Sequence, residues 1–467
     1  MKILLLSPCK SPESKKPRFL MIPQLSLHLI SGLTPPEHEV KIVEEEIEAI
    51  NLDEECDLVG ISCMTANAPR AYALSGEFRK RGKKVVLGGV HPTILPGEAL
   101  RHADSVVIGE AEGVWEDVCR DAKAGTLKRR YHKPFPSLDG YIPVGSSRRK
   151  TKKRAFGVVP VMTTRGCPYH CEFCCVSDLY GRRIRHVPVK NVVQDICDSG
   201  GRFFLFLDDN IAGDPVYAKS LFEAITPLGI KWGGQASLSI VKNIETLKLA
   251  RKSGCEALFF GVESVSKEQL ARMRKSSKKL EEIEQSIRTV EDLGIFFHAS
   301  MIFGFDTDTT DIFPETLAFL ERNRISSATL NVLTPYPGTK IYRQFEEEQR
   351  LLTDDWRFFD HKTVVYTPKN MTPLELQAGR LWVLKEFTRF SSMMRRLFYH
   401  LDHPFYHLAM NIGHKRTSSM DLDTFPDVAD SLFPLAAAGR KSHGVLIPPI
   451  RVADIIPKRM LIREEVR

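Results

Sequence analysis

The chain has 467 residues, of which 43% are hydrophobic and 27% charged, and its formal net charge is +8. That is ordinary globular composition: it excludes a wholly disordered chain, and the length provides for about three domains with real cores. No run of about 18 apolar residues occurs, so no integral membrane segment is expected, and the modest positive charge does not by itself indicate nucleic acid.

Met1–Pro8 carries too short an apolar stretch for a signal peptide and reads as a strand. Apolar runs at Ile3–Leu6, Val40–Val43, Leu58–Cys63, Lys84–Leu87 and Ser105–Ile108 are bounded by turn or charge signals, as buried parallel strands would be. Helical patterns lie between them at Leu25–Leu33, Pro69–Arg81 and Gly113–Ala124. The rhythm predicts a doubly wound α/β domain over residues 1–140, with ligands beyond the carboxyl ends of its strands. The residues expected there are small or polar: Ser7, Ser62, Thr65, Gly88, Gly89, His91, Thr93, Gly109 and Glu110. Prolines and glycines mark a connector after residue 126. Its basic part, 141–158, contains Arg148–Arg154, where six of seven residues are Lys or Arg.

Strand and helix then alternate six times through residues 159–350. The strands are predicted at Val158–Thr164, Arg202–Leu207, Ile230–Leu238, Ala257–Val262, Phe296–Phe303 and Ala328–Leu333. The helices are predicted at Val189–Ser199, Pro215–Leu228, Ile244–Ser253, Leu280–Leu293 and Asp311–Asn323, with a last one from near Thr339. Six such units predict a partial (β/α)6 barrel with its chemistry at the strands' C-terminal ends. Residues 351–467 lose the alternation. Pro373–His400 reads as one or two helices, and the last 50 residues as loop.

Ten cysteines without a secretion signal are expected to stay reduced, so their spacing is read for metal binding. Cys167, Cys171 and Cys174 form Cys-x3-Cys-x2-Cys at the end of the first barrel strand. Three thiolates on a short loop can hold three irons of a [4Fe–4S] cluster and leave the fourth open to a small molecule. A zinc site would need a fourth ligand from Cys175, His170 or elsewhere. Cys175 otherwise reads as a small packed residue.

In this setting the motif resembles the radical S-adenosylmethionine (SAM) superfamily over residues 159–350, and Phe173 before the last cluster cysteine is typical of it. The resemblance implies that SAM chelates the open iron. One electron from the cluster then yields a 5′-deoxyadenosyl radical, which takes a hydrogen from substrate. It assigns the three cysteines to the cluster. It assigns Phe173, Asp208, Asp209, Gln235, Ser237 and Glu263, near the ends of the first four strands, to the SAM site. The backbone of Met301–Phe305, ending the fifth strand, is expected close to adenine.

An α/β domain ahead of such a barrel resembles the cobalamin (B12)-binding domain of the cobalamin-dependent subfamily. The segments that carry this are Ser62–Asn67, Leu87–Thr93 and Gly109–Gly113. By that resemblance Ser62, Thr65, Gly88, Gly89, His91, Gly109 and Glu110 contact cobalamin. The Asp-x-His-x-x-Gly pattern, whose His ligates cobalt in classical cobalamin proteins, is absent from residues 1–140. Cys9, Cys56, Cys63 and Cys119 lack the Gly-Cys-x-x-Asn setting of the methylthiotransferases.

Toward the C-terminus, His400, His403 and His407 could share one helical face, but Pro404 interrupts it. Leu381–Tyr399 mixes aromatic and Arg residues and reads as a helix docked over the barrel mouth. The whole reads as a cytoplasmic, or membrane-peripheral, cobalamin-dependent radical SAM enzyme. The most common reaction of that subfamily is methylation of an unactivated carbon. Ring formation or rearrangement, a cobalamin-free radical SAM enzyme and a methylthiotransferase are the alternatives. The expected cofactors are a [4Fe–4S] cluster, SAM and cobalamin. The expected partners are a small-molecule, lipid or peptide substrate and a one-electron reductant of flavodoxin or ferredoxin type, with no nucleic acid.

Overall fold

A computed structural model describes residues 1–11, 24–150, 157–273, 279–399 and 404–433. The chain divides into two compact units. One comprises residues 1–235, 252–255 and 336–339; the other comprises 236–251, 256–335 and the chain from 340 onward.

The first unit opens with a parallel sheet of β1 (Lys2–Ser7), β2 (Glu39–Glu44), β3 (Leu58–Ser62), β4 (Lys84–Gly88), β5 (Ser105–Ile108) and β6 (Arg130–His132). Their order is β2-β1-β3-β4-β5-β6. Alternation along the strands feeds two cores. Leu4, Leu6, Val59, Ile61, Val85 and Leu87 pack with Leu74, Phe78 and Ala99. Ile3, Leu5, Leu58, Val86 and Val107 pack on the other side with Leu27, Trp115 and Val118. The helices therefore cover both faces, and the order reverses between β1 and β3, which opens a crevice at the strands' carboxyl ends. The five predicted strands are present within one or two residues. The sixth lies in the stretch expected as connector; only its central Tyr131 is buried, so it leaves no periodic signal.

The same unit continues into β7 (Val158–Val161), β8 (Thr164–Arg165), β9 (Arg185–His186), β10 (Phe203–Phe206) and β11 (Lys231–Ala236). β10 pairs parallel with β7 and with β11. β8 and β9 form a separate antiparallel pair. The predicted strand Val158–Thr164 is thus broken after Val161. The reason lies outside the strand: the Thr163 and Thr164 N–H groups donate to the Asp208 carboxylate instead of to a neighbouring strand.

The second unit carries all but the first residue of β12 (Cys255–Glu263), with β13 (Phe296–Phe303) and β14 (Ser327–Val332), paired parallel in that order. Helices 280–292, 312–322 and 340–347 are followed by 373–387, 390–397 and 404–432. Helix 373–387 begins with a capping box in which Thr372 and Glu375 satisfy each other's backbone N–H groups. It packs along β14, with Arg380 Nε donating to Leu330 O at 2.8 Å, whereas the sequence suggests a cover over the strand ends.

Helix 404–432 begins at Pro404 and replaces the first part of the expected terminal loop. Its inward positions His407, Asn411, His414 and Ser418 keep helical spacing but are polar, so no apolar stripe announces them. His407 bonds Ser326 Oγ at 2.7 Å and Met393 O at 3.0 Å, which occupies both ring nitrogens in packing and not in metal binding. His400 and His403 lie outside the described residues. Arg396 is buried beneath the same helix, donating to Ser326 O and to Asn411 Oδ1 at 3.0 Å each. Burial pushes its guanidinium down to about 9.

His298 and His414 meet at one hydroxyl: Ser327 Oγ lies 3.0 Å from His298 Nδ1 and 3.1 Å from His414 Nε2. Burial holds both imidazoles neutral. It pushes His414 down to about 4, helped by the positive charges of Arg396 and Lys362, and His298 well below the ordinary 6.5. A group with a depressed folded pKa takes up a proton on unfolding, so stability is lost as pH falls from about 6.5 toward 4. The melting temperature is expected to decline across that window. In thermal melts the decline is expected to be shallower for His414→Gln.

Candidate active site

At the carboxyl ends of β1, β3, β4 and β5 the first unit holds a cavity of about 270 Å³. Its deep wall is apolar, built from Leu5, Leu27, Ile30, Val86, Val107 and Trp115. Gly60 makes room there, since a Cβ would stand 2.9 Å from Leu5 and 3.3 Å from Trp115. The indole N–H of Trp115 donates to Thr34 Oγ1 at 2.8 Å, which satisfies its one polar atom. Ser62, Gly88, Gly89, Gly109 and Glu110 form the rim. The Thr93 hydroxyl ties that rim together: it donates to Gly89 O at 2.7 Å and accepts from Gly109 N–H at 2.9 Å. An apolar slot under a glycine-lined rim suits a large flat cofactor with an aromatic nucleotide base.

Thr65 and His91, expected from the sequence among the cofactor residues, are not among the residues that line this cavity. Each sits at the first turn of the helix after its strand and is directed into the packing of the domain. His91 is fully buried, with Nε2 3.2 Å from Glu98 Oε1. Thr65 is buried in a single helical turn at 65–67.

Also in the first unit, the loop 166–184 leaves β8 and returns at β9 carrying Cys167, Cys171 and Cys174. Gly166, at φ +93°, would place a Cβ 2.5 Å from Arg183 O, so only glycine lets the two legs cross. Cys174 N–H donates to Cys171 O at 3.0 Å, which folds the loop into a turn before helix Val176–Tyr180. The three cysteines and Phe173 are partly exposed. Burial pushes the neighbouring Cys175 thiol up to about 11, in keeping with a packed residue. Among the described residues no three His, Cys, Asp or Glu side chains stand close enough to hold a single metal ion.

Asp208 and Asp209 meet the root of this loop. Asp208 Oδ1 accepts from Thr163 N–H at 2.9 Å, both threonine hydroxyls at 3.0 and 2.8 Å, and Thr164 N–H. Its Oδ2 is buried and finds no protein partner among the described residues. Burial raises this carboxyl to about 6 despite those bonds. Asp209 Oδ2 accepts from Gly166 N–H at 3.2 Å, and Gln235 Nε2 reaches Asp209 O at 3.4 Å. The structure thus gathers three of the predicted SAM residues beside the cysteine loop.

In the second unit, Ser237 Oγ pairs with Ser239 Oγ at the start of a short 3-10 helix. Glu263 ends β12 buried, at φ +72°, where the pairing with β13 slips. A non-glycine residue held there costs about 1–3 kcal/mol, and such strain gathers at functional sites. After β13, Asp308 Oδ2 accepts from the N–H groups of Gly304 and Phe305 at 2.9 and 3.1 Å. Tyr366 Oη donates to Gly304 O at 2.5 Å, and Arg350 pairs with Asp306 at 2.6 Å. The loop expected beside adenine is therefore fixed by side chains the sequence does not single out.

Arg165 and Arg185 were likewise not legible as site residues, although Arg165 directly precedes Gly166-Cys167. Arg165, Met162, Tyr180 and Leu207 line the same cavity as the rim glycines.

A family model described as the radical SAM superfamily matches residues 161–320, and one described as B12 binding domain matches residues 30–118. The chain is 31% identical over 354 residues to the bacteriochlorophyllide d C-12(1)-methyltransferase of Chlorobaculum tepidum, which covers 73% of this chain and 76% of that protein. It is 29% identical over 435 residues to the bacteriochlorophyllide d C-8(2)-methyltransferase of the same organism, covering 88% and 95% respectively. Among solved structures, the cobalamin-dependent SAM radical enzyme OxsB with aqua-cobalamin bound aligns with 99% of this chain and 80% of its own, at TM-score 0.64 and 16% identity. The radical SAM methyltransferase TsrM from Kitasatospora setae, with cobalamin and a [4Fe–4S] cluster bound, covers 74% and 78% at TM-score 0.60 and 16% identity. At that identity the likeness is one of fold.

Proposed function

We infer the function from one premise: the chain belongs to the radical SAM superfamily, in the branch that carries a B12-binding domain. It is a cobalamin-dependent radical SAM enzyme of the methyltransferase kind, with a [4Fe–4S] cluster, SAM and cobalamin as cofactors. One observation carries the reading within this structure. The cavity at the N-terminal strand ends is walled on one side by Arg165 and Met162, which flank the root of the cysteine loop. A cofactor in that cavity would lie against an apolar wall and next to the residues that lead into the cysteine loop.

When bound, the cluster with SAM supplies a 5′-deoxyadenosyl radical, and cobalamin supplies a transferable methyl group. Cys167, Cys171 and Cys174 are assigned to hold the cluster. The buried, unpartnered Oδ2 of Asp208 is suited to accept from a primary amine such as that of SAM, while Asp209 fixes the loop root through Gly166. Gly88, Gly89 and Gly109 are assigned to meet the periphery of cobalamin through their backbone, and the apolar wall to take its nucleotide base. Gln235, Ser237 and Glu263 remain assigned to SAM. The substrate follows the two Chlorobaculum relatives: an alkyl carbon on a bacteriochlorophyllide-type ring.

No helix of the described residues is long and apolar enough to cross a membrane. The reading places the enzyme in the cytoplasm or at a membrane surface, supplied with single electrons by a flavodoxin- or ferredoxin-type protein.

The test is anaerobic reconstitution with iron, sulfide and hydroxocobalamin, followed by desalting and a visible spectrum. Retained cobalamin, 5′-deoxyadenosine formed with dithionite, and a bacteriochlorophyllide product heavier by one methylene are expected. Deoxyadenosine without retained cobalamin would keep the radical barrel and sink the methyl-transfer reading.

A further inference from the structure

Across the short β8–β9 pair, Arg165 stands directly opposite Arg185. Like charges facing each other on a ladder repel, so the pair needs an anion between them. Glu110, on the loop after β5, supplies it. Its carboxylate accepts from Arg165 Nη1 and from both terminal nitrogens of Arg185, at 3.0 and 2.5 Å. Glu112 takes the other terminal nitrogen of Arg165 at 2.7 Å. The carbonyls of Pro136 and Tyr180 accept further bonds from the terminal nitrogens of Arg185 at 2.7 and 3.2 Å. The side chains are deeply enclosed: Glu110 is 3% exposed, Arg165 12% and Arg185 15%. Removing one member of such a group strands a buried charge.

The placement of these residues links two sites. The cysteine loop departs at Arg165 and returns at Arg185, so one carboxylate holds both of its legs. Glu110, Glu112 and Arg165 also line the N-terminal cavity. From the rim, the Thr93 hydroxyl bonds Gly89 and Gly109 together, and Gly109 leads directly into Glu110. A continuous series of bonded groups thus runs from the rim to both ends of the cysteine loop.

We propose that Glu110 is a positioning residue that couples occupancy of the N-terminal cavity to the order of the cysteine loop, so that cobalamin binding and cluster assembly reinforce each other. This rests on the reading that the cavity takes cobalamin and the loop takes the cluster. Such coupling is reciprocal by thermodynamic necessity.

Hydroxocobalamin is titrated into full-length protein with and without the reconstituted cluster. About tenfold tighter binding to the cluster-loaded form is expected, within the roughly 5- to 150-fold range usual for coupled sites. In cluster-free protein, hydroxocobalamin is expected to slow proteolytic cleavage within residues 166–184 several-fold. Arg185 does not itself line the cavity, so Arg185→Gln loosens one leg of the loop while every side chain of the cavity wall is kept. Its affinity ratio is expected to fall below about twofold, as is that of Glu110→Gln, whereas Arg185→Lys should keep part of it. A wild-type ratio of one, or a full ratio in both Gln variants, would overturn the proposal alone. Wild-type protein that binds no cobalamin in either form would overturn the functional reading and the proposal with it. If one Gln variant fails to fold, a wild-type ratio of one still overturns the proposal, and the other Gln variant still tests the role of Glu110.

Discussion

Cys167→Ala is expected to lose the iron–sulfur absorbance after reconstitution and to reduce SAM cleavage by at least about 100-fold, beyond the 10- to 100-fold typical of residues that merely support metal ligands. The effect should be chemical and not structural. Cys167 is partly exposed, and alanine removes only its thiol. The turn that shapes the loop depends on Gly166 and on the Cys174 N–H to Cys171 O bond, neither of which needs the Cys167 side chain. Circular dichroism and melting temperature should therefore stay near wild type while iron content collapses. Cys171→Ala and Cys174→Ala should behave alike. Cys175→Ala is the control: Cys175 lies outside the Cys-x3-Cys-x2-Cys spacing, so its loss should leave the cluster in place. If Cys175→Ala stripped the iron as completely as Cys167→Ala, the assignment of ligands would be wrong.

Local chemistry was legible in the sequence, and long-range partners were not. The parallel strands are buried on both faces, so Ile3–Leu6 and Val106–Ile108 stand out as unbroken apolar runs. The cluster motif stands out for the same reason, since three cysteines within eight residues need no knowledge of topology. Direction was harder to read. Ser62, Gly88, Gly89 and Gly109 end their strands and meet the cavity, but Thr65 and His91, only a few residues further on, already belong to the next helix. The Asp208 carboxylate breaks β7 by taking two N–H groups from 45 and 44 residues away, which no pattern within the strand reveals. The same holds for Glu110 and its arginines, separated by 55 and 75 residues. Helix 404–432 escaped because its buried face is built from hydrogen-bonded His and Asn with a buried Ser, and a period of apolar residues was the signal sought.

Gly89→Ala is expected to abolish retention of cobalamin and to destabilise the protein by about 2–4 kcal/mol, the range of a strained backbone combined with overpacking. Gly89 sits at φ +97° and ψ −167°, a region almost closed to other residues. A Cβ there would stand 2.6 Å from Cys63 O and 2.8 Å from Cys63 N. Both are backbone atoms and cannot rotate away as a side chain end could. Cys63 N–H donates to Gly88 O at 3.0 Å, and Cys63 O accepts from His91 N–H at 3.3 Å, so relieving the clash breaks the bonds that join the two strand exits. Ser62 and Gly88 share the rim and would move with it. A contrasting glycine shows that the expected loss depends on position. Gly76 lies in helix 68–80, and its added Cβ would meet nothing within 4 Å, so Gly76→Ala should be neutral or stabilise by up to about 1 kcal/mol. Spectra after desalting distinguish Gly89→Ala from the cysteine variant. Gly89→Ala should lose the cobalamin bands while iron remains, and Cys167→Ala should lose iron while some cobalamin remains. A Gly89→Ala protein that kept cobalamin at wild-type affinity would mean that the cofactor does not approach the β4 exit, and the cavity would need a different occupant.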